Sequence, residues 1–405
     1  MTAIHAQAGL ATRWSLEPGV AYLNHGSFGA TPVEVQEYQQ QIRARIERQP
    51  VRFFARQWEG LLDEARREVA RFLGAGADDI AFLPNATAGV NTVLRSLRFG
   101  PGDELLTTDH EYNACANALR SAAERAGAGA VVARVPFPVR SEDEVVAAIL
   151  DAVTARTRLA LIDHITSPTA LVFPIERIVR ALHERGVAVL VDGAHSPGMV
   201  PLDLDALSAE YYTGNLHKWV CAPKGAAFLH VRRDMQDGIE PLSISHGLNS
   251  PREDRSRFRL LFDWTGTCDP SAWLSVPAAI RAVGSMAPGG WDEVMGANRA
   301  LALAGRDVVL AALGIEAPAP DVMIGSMASI PLGPGSGPDP DLRLHQDAMQ
   351  APLLEEWGIE VPVIPWPEPP KRLVRLSAQR YNSIGEYERL GAALRTVLAR
   401  EGGGA

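Results

Sequence analysis

The sequence predicts an α/β protein: a large unit with a mainly parallel sheet of the seven-stranded type between helices, then a smaller α+β unit at the C-terminal end. Two observations carry this expectation. Short, continuously apolar runs alternate with amphipathic helical segments through the first two thirds of the chain, the pattern of a parallel sheet covered on both faces. After about residue 270 the pattern changes to a long helix, a Pro/Gly-rich loop, a short strand and a closing helix. With 405 residues, 46% of them hydrophobic, the chain is long enough to bury two or three structural units.

The elements follow in order. Segment 31–49, TPVEVQEYQQQIRARIERQ, opens with Thr31, Pro32 and Glu34, a capping-box arrangement with proline at the first helical position. Val35, Tyr38, Ile42 and Ile46 then recur at helical spacing. A second helix carries Trp58, Leu61, Leu62, Ala65, Val69 and Phe72 on one face and stops at Gly74. Runs of strand length follow: DIAFL (79–83), ELLTT (104–108), AVVARV (130–135), LALIDHI (159–165) and VAVLVD (187–192). Between the last two, Ile175, Ile178, Val179 and Leu182 keep helical intervals and Gly186 closes the segment. Residues 289–313 read as a long helix, 331–342 (PLGPGSGPDPDL) as a loop, and 372–378 (RLVRLSA) as a strand. The closing helix turns Tyr387, Leu390, Leu394, Val397 and Leu398 inward, and no internal repeat is present.

Charge and composition narrow the function classes. A net charge of −9 argues against nucleic-acid or anionic-membrane binding. No apolar run is long enough to span a bilayer, and the first residues lack the basic and apolar regions of a leader, so a cytoplasmic protein is expected. Cys115, Cys221 and Cys268 fit neither a disulfide framework nor a zinc site. The chain has 3 lysines against 36 arginines, and two of them, Lys218 and Lys224, stand in NLHKWVCAPKGAAFL at 215–229. Arginine neither sheds its proton near neutral pH nor forms an imine, whereas lysine does both.

In open α/β sheets functional residues gather at the carboxyl ends of strands. Asp192 ends the run VAVLVD, with His195 three residues on. A buried carboxylate there either caps the following turn or pairs with a cation, such as a protonated heteroaromatic nitrogen. Lys218 follows the next apolar stretch, between YYTGN and WVCAP, neither of which reads as a solvated face. Upstream, Asn85, Ala86 and Thr87 separate a strand from a helix, which makes either an ordinary N-cap or an anion site built on free N–H groups. In TTDHEYNAC, Tyr112 is either a core aromatic or an exposed ring able to stack and pass a proton.

These stations, in this order, resemble the class V aminotransferases, a branch of the fold type I pyridoxal phosphate (PLP) enzymes. Within that branch the chain resembles the isopenicillin N epimerase-like group. The resemblance rests on YLNHGSFGATP (22–32), DHEYNA (109–114), DHITSPTAL (163–171), VDGAHSPG (191–198), YYTGNLHKWVCAPKG (211–225) and WTGTCDPSAW (264–273). One departure is Tyr112, which stands where class V enzymes have a ring-stacking histidine.

The resemblance implies a PLP cofactor bound through a Schiff base to Lys218, which also carries the proton at the substrate α-carbon. Asp192 would pair with the pyridinium nitrogen, and His195 and Ser167 (or Thr166) would lie near the ring and its 3′ oxygen. Ala86, Thr87, Asn215 and His217 would hold the phosphate, and Thr267 would reach the phosphate of a neighbouring subunit in a homodimer. Arg375 would clamp the substrate carboxylate, with Arg372 and Arg380 as rivals for that task, and Asn24 and His25 would line the substrate pocket. Lys224 would border the cofactor, and Lys371 would be exposed. The implied division is an arm over 1–20 packing on the small domain, a large domain over 21–275 and a small domain over 276–405.

The implied reaction is epimerisation at the α-carbon of an amino acid or short peptide, with Tyr112 or a water serving the face opposite Lys218. A C–S lyase or an aminotransferase of the same class remains open. A persulfide-forming desulfurase is disfavoured, because no cysteine lies between the Pro/Gly loop and Arg375. The reading from a different class is a binding module of the same fold without catalysis.

Overall fold

The computed structural model describes residues 9–335 and 347–402. Its centre is a seven-stranded sheet of β1 (Ile80–Leu83), β2 (Glu104–Thr108), β3 (Gly129–Ala133), β4 (Thr157–Asp163), β5 (Ala188–Asp192), β6 (Tyr211–Asn215) and β7 (Ala227–Val231). Their spatial order is β1-β7-β6-β5-β4-β2-β3. Only β7 runs antiparallel to its neighbours β1 and β6. Alternate residues of one strand serve two helical layers: Leu159 and Leu161 of β4 join one apolar cluster, Ala160 and Ile162 the other. This burial on both faces is why the strands read as continuous apolar runs.

The helices around this sheet include those that periodicity places and others it did not mark, such as the two over Asn113–Ala126 and Glu142–Asp151. They are α1 (Val33–Arg48), α2 (Trp58–Leu73), α3 (Ala86–Ser96), α4 (Asn113–Ala126), α5 (Glu142–Asp151) and α6 (Ile175–His183). α2 ends on Gly74 in the left-handed conformation, as its sequence predicts. α1 differs at its start. Pro32 occupies the cap position rather than the first turn, and the Thr31 hydroxyl donates to the Ala222 carbonyl at 3.1 Å instead of capping. Tyr38 stays exposed. β3 also departs from the expectation of full burial: as the sheet's edge it has only one neighbour, and Val132 is exposed.

After the sheet come α7 (Gly290–Leu313) and a small antiparallel sheet of β8 (Met327–Leu332), β9 (Val363–Pro365) and β10 (Arg372–Ser377), in the order β9-β10-β8. α8 (Ile384–Gly402) closes the chain and packs on α7. The predicted loop at 331–342 begins within β8, and its residues from 336 on lie outside the described ones, as do residues 1–8 of the predicted arm. Further along that arm Trp14 packs edge-on against Tyr381 at 5.0 Å between ring centres. Ala21 and Tyr22 pair with Ile359 and Glu360, which brings the segment 23–29 between the two sheets. No described helix is long and apolar enough to cross a membrane.

Candidate active site

The carboxyl ends of β2 and β4 and the loop after β6 meet residues 24–28 and β10 around a cavity of about 950 Å³. Its lining includes Asn24, Tyr112, Ser167, Lys218, Trp366 and Arg375. Lys218 sits in the loop after β6, which is folded back by Leu216 donating to Ala226 and by Cys221 donating to the Lys218 carbonyl at 3.0 Å. Gly29 lies against this loop with φ +67°, and any side chain there would collide with the His217 carbonyl. The lysine is therefore held by backbone on both sides.

Lys218 Nζ lies 3.1 Å from His195 Nε2. Burial, then the nearby Arg375 charge, push the Lys218 amine down to about 7, while burial and Lys218 itself hold His195 well below its ordinary range. His195 is thus a neutral imidazole, and its buried Nδ1 has no partner among the described residues. Lys218 is an amine poised to lose its proton near neutrality.

Asp192, at the end of β5, accepts from Ala194 N–H at 2.9 Å and from the Cys115 thiol at 3.1 Å. Both readings of this position thus coexist: the carboxylate caps its turn and still meets no cationic side chain at contact distance among the described residues. A buried carboxylate with neutral donors alone suits a cationic ligand group. Arg375 is its mirror image. Only 3% exposed, it donates from Nη1 to the Ser167 carbonyl at 2.7 Å and hydroxyl at 3.1 Å, and from Nη2 to the Ser27 hydroxyl at 3.0 Å. Its Nε has no partner among the described residues, and burial lowers its pKa to about 10. A guanidinium buried among neutral acceptors is a receptor for an anion. Its rivals differ. Arg372 is spent on the buried Asp347 at 2.8 Å and on Glu401, and Arg380 does not line the cavity.

At the start of α3, Asn85 caps the Ala88 N–H at 2.8 Å and Asn215 accepts from Ala86 N–H at 2.9 Å, leaving the Thr87 amide between them. His217 nearby is bonded through Nδ1 to the Ala226 carbonyl at 3.1 Å, and burial holds it at about 4, neutral. Of the two alternatives near the ring, Ser167 lines the cavity, whereas Thr166 is consumed in its turn by Leu171 N–H at 2.8 Å and Thr169. Tyr112 is 47% exposed on the cavity wall, so the core-aromatic reading fails for it.

Several expectations are corrected. His25 does not line the pocket. It is fully buried, bonded to the Tyr381 hydroxyl at 2.8 Å and the Lys218 carbonyl at 3.0 Å, and so braces the lysine loop from behind. Asn24 does line the cavity, tied to Glu360 at 3.1 Å. Lys224 points into a different cavity and donates to the Gly29 carbonyl at 3.1 Å, while Lys371 is exposed as expected. Thr267 is exposed and lines a separate cavity of about 760 Å³, not the one that Lys218 lines. Sequence reasoning missed Ser27 and the buried groups Asp163 and Cys115. It quoted Glu111 within a motif but gave it no role. Register was the available signal for Asp163, since the run LALID ends in an aspartate as VAVLVD does.

The family model for class-V aminotransferases matches residues 31–323. The chain belongs to the class-V aminotransferases. It is 36% identical to the isopenicillin N epimerase of Amycolatopsis lactamdurans, over 96% of this chain and 99% of that protein. It is 31% identical to a probable chloroplastic L-cysteine desulfhydrase of Arabidopsis thaliana, over 95% and 84%. Among solved structures it resembles the cystine C–S lyase C-DES bound to cysteine persulfide, with a TM-score of 0.76 at 22% identity over 93% and 97% of the two chains. The Escherichia coli cysteine desulfurase CsdA gives 0.74 at 20% identity over 96% and 97%. The architecture of this class-V chain is accordingly that of fold type I.

Proposed function

We propose that this class-V enzyme epimerises the α-carbon of an amino acid or short peptide. As a class-V protein it is PLP-dependent, and its residues fit that cofactor. Asp192 lacks a cation and would face the ring nitrogen. The open amide of Thr87, with Ala86, Asn215 and His217, would hold the phosphate. Lys218 offers the amine for the aldehyde, and His195 and Ser167 lie beside it. When bound, PLP supplies the aldehyde that takes up the substrate amine and the electron sink that makes the α-hydrogen acidic.

The chain's own residues do the rest. Arg375 binds the substrate carboxylate through its fork, held in plane by Ser27 and Ser167. That fixes the α-carbon relative to Lys218, which removes or returns a proton on its side. The observation that carries epimerisation is the placement of Tyr112. It comes from the end of β2, Lys218 comes from the loop after β6, and the strands β4 and β5 lie between them. Two proton-bearing side chains thus reach one cavity from separate strand ends, which supports a two-base inversion. The cavity, at about 950 Å³ with Phe28 and Trp366 in its wall, is roomier than a free cysteine requires.

The second reading is a C–S β-lyase, favoured by the desulfhydrase relatives at 31–32% identity. A persulfide route is not supported: Cys115 and Cys221 are buried, and Cys268 lies beside the Thr267 cavity. The reading extends to a homodimer, with Thr267 completing the partner's phosphate site, and to the division into an arm, a large domain over 21–275 and a small domain.

Incubation with L-amino acids and short peptides in D₂O tests the reaction. Deuterium at the α-carbon together with the D-epimer is the expected result. Pyruvate with released sulfide establishes the lyase instead, and a keto acid with the cofactor converted to its amine establishes transamination.

A further inference from the structure

The buried acidic groups around Asp192 have no task in the reaction described above. Asp163 and Asp192 are register partners at the ends of β4 and β5, so their side chains lie side by side on one face. Glu111, after β2, and Cys115, on the first turn of α4, close over the same face. The ligand atoms of Glu111, Cys115 and Asp192 all lie within 4.8 Å of one another. All four residues are buried, and no arginine, lysine or histidine forms an ion pair with any of the three carboxyls among the described residues.

Their hydrogen bonds are unequal. Asp192 receives two donors, the Cys115 thiol and the Ala194 N–H. Glu111 receives the Tyr112 N–H at 3.1 Å and, at 3.4 Å, the Thr107 hydroxyl. Among the described residues no N–H or O–H satisfies the buried Asp163 Oδ2. Asp163 and Glu111 thus crowd the same buried face as Asp192, one as its register partner and the other within 4.8 Å of it. Carboxyls packed together without a cation repel one another unless one of them carries a proton.

We infer that Glu111 and Asp163 hold one proton between them, with Glu111 as donor, and that this shared proton leaves Asp192 as the ionised carboxylate facing the cofactor's ring nitrogen. The clause about the ring nitrogen rests on the PLP reading; the proton assignment does not. The electrostatics agree. Burial raises all three carboxyls; Glu111 and Asp163 go well above the usual carboxylate range with their neighbouring carboxylates adding to the rise, whereas for Asp192 the Cys115 thiol, the Ala194 N–H and the Lys218 charge oppose it. A carboxylic acid kept neutral by its surroundings and used as a hydrogen-bond donor is an established device of active sites. Here Glu111 is a positioning residue: it acts on the charge of Asp192 through Asp163 and touches no reacting atom. The Cys115 thiol belongs to the same device, since burial and Asp192 raise its pKa well above the ordinary thiol value and keep it a donor.

Infrared difference spectra of the holoenzyme at neutral pH, wild type against Glu111→Gln, test the assignment. A protonated-carboxyl C=O band present in wild type and lost in Glu111→Gln is expected; its absence from wild type overturns the inference. The pH titration of the cofactor's visible band supplies a second readout. Glu111→Gln, which keeps an N–H donor and changes no charge, should retain the wild-type midpoint, whereas Glu111→Ala strips Asp163 of its donor and should shift the midpoint, with about tenfold weaker PLP binding. A midpoint moved by Glu111→Gln as far as by Glu111→Ala means Glu111 is ionised and overturns the proposal. A stoichiometric divalent metal in the purified protein overturns it as well, because the metal would take the proton's place. If the protein bound no PLP, the infrared comparison on the protein as purified would still report the proton, so failure of the cofactor reading is separable from failure of this one.

Discussion

Lys218 illustrates how much chemistry a single burial decides. Its amine, lowered from 10.5 to about 7, pays a penalty whenever it is charged in the folded protein. The sign follows from proton counting. Between pH 7 and 10.5 the unfolded chain binds the proton and the folded one does not, so this residue's contribution to stability rises with pH across that window and is most unfavourable below pH 7. Lys218→Met should therefore melt higher than wild type when both are freed of cofactor at pH 7, with the gap closing as pH approaches 10.5, as thermal denaturation at several pH values would show. The same variant should trap no cofactor on borohydride reduction; a trapped adduct on Lys224 would remove Lys218 from its role. Arg375 yields a different expectation. Arg375→Lys keeps the charge but cannot reach Ser27 and Ser167 together, so the substrate KM should rise by roughly 10- to 100-fold, the worth of one charge-assisted hydrogen bond. The cofactor spectrum should stay unchanged. A spectrum altered as much as KM would show that Arg375 serves the cofactor instead.

At the scale of the elements, β10 shows why neighbouring arginines of similar appearance are not interchangeable. Arg372 and Arg375 lie three residues apart on one strand, so they project to opposite faces. One meets the buried Asp347 and ties the small sheet to the end of α8 through Glu401; the other enters the cavity. Asp347→Ala should lower the unfolding free energy by about 3 kcal/mol in urea titrations, the low end for breaking a buried pair because Glu401 remains. It should leave the substrate KM untouched, which separates the two arginines experimentally. Sequence patterning sufficed where local rules act alone: the apolar runs became strands, and Gly74 and Gly186 ended their segments with positive φ. It failed where a distant residue outbid a local one. Thr31 gives its hydroxyl to Ala222 rather than to its own helix, His25 turns away from the pocket toward Tyr381, and Glu111 comes within 4.8 Å of Asp192 at the end of another strand. Such contacts join residues far apart in the chain, and no single-segment pattern records them. Lys218 and Asp192 stood out in the sequence because a lysine is scarce in this chain and a carboxylate is costly at a buried strand end, whereas Arg375 was singled out only through the resemblance.

At the scale of the whole molecule, the chain presents surfaces that one copy does not cover. Val51, Leu242, Ile244 and Leu248 are exposed apolar side chains, with Val51 at 69%. Val51 also borders the cavity that holds Thr267, beside Trp264, His246 and Arg252. Scattered exposed hydrophobes need no explanation, but an exposed Val51 beside Phe54 and Trp264 in the wall of a cavity fits an interface. The proposed homodimer would bring Thr267, which lines a different cavity from Lys218 within its own chain, to the partner's Lys218 site. Complementation decides between the two arrangements. Thr267→Asp would set a carboxylate against the cofactor phosphate and abolish binding, and Lys218→Ala would abolish catalysis, so each variant alone should be inactive. If Thr267 acts in trans, unfolding and refolding the two together gives mixed dimers in which one site combines an intact Lys218 with the partner's intact Thr267. Random pairing should then restore roughly a quarter of wild-type activity. If Thr267 acts on its own chain, every site in the mixture carries one defect, and no activity returns. Sedimentation of the refolded mixture as a dimer ensures that a negative result speaks to Thr267 and not to failed assembly.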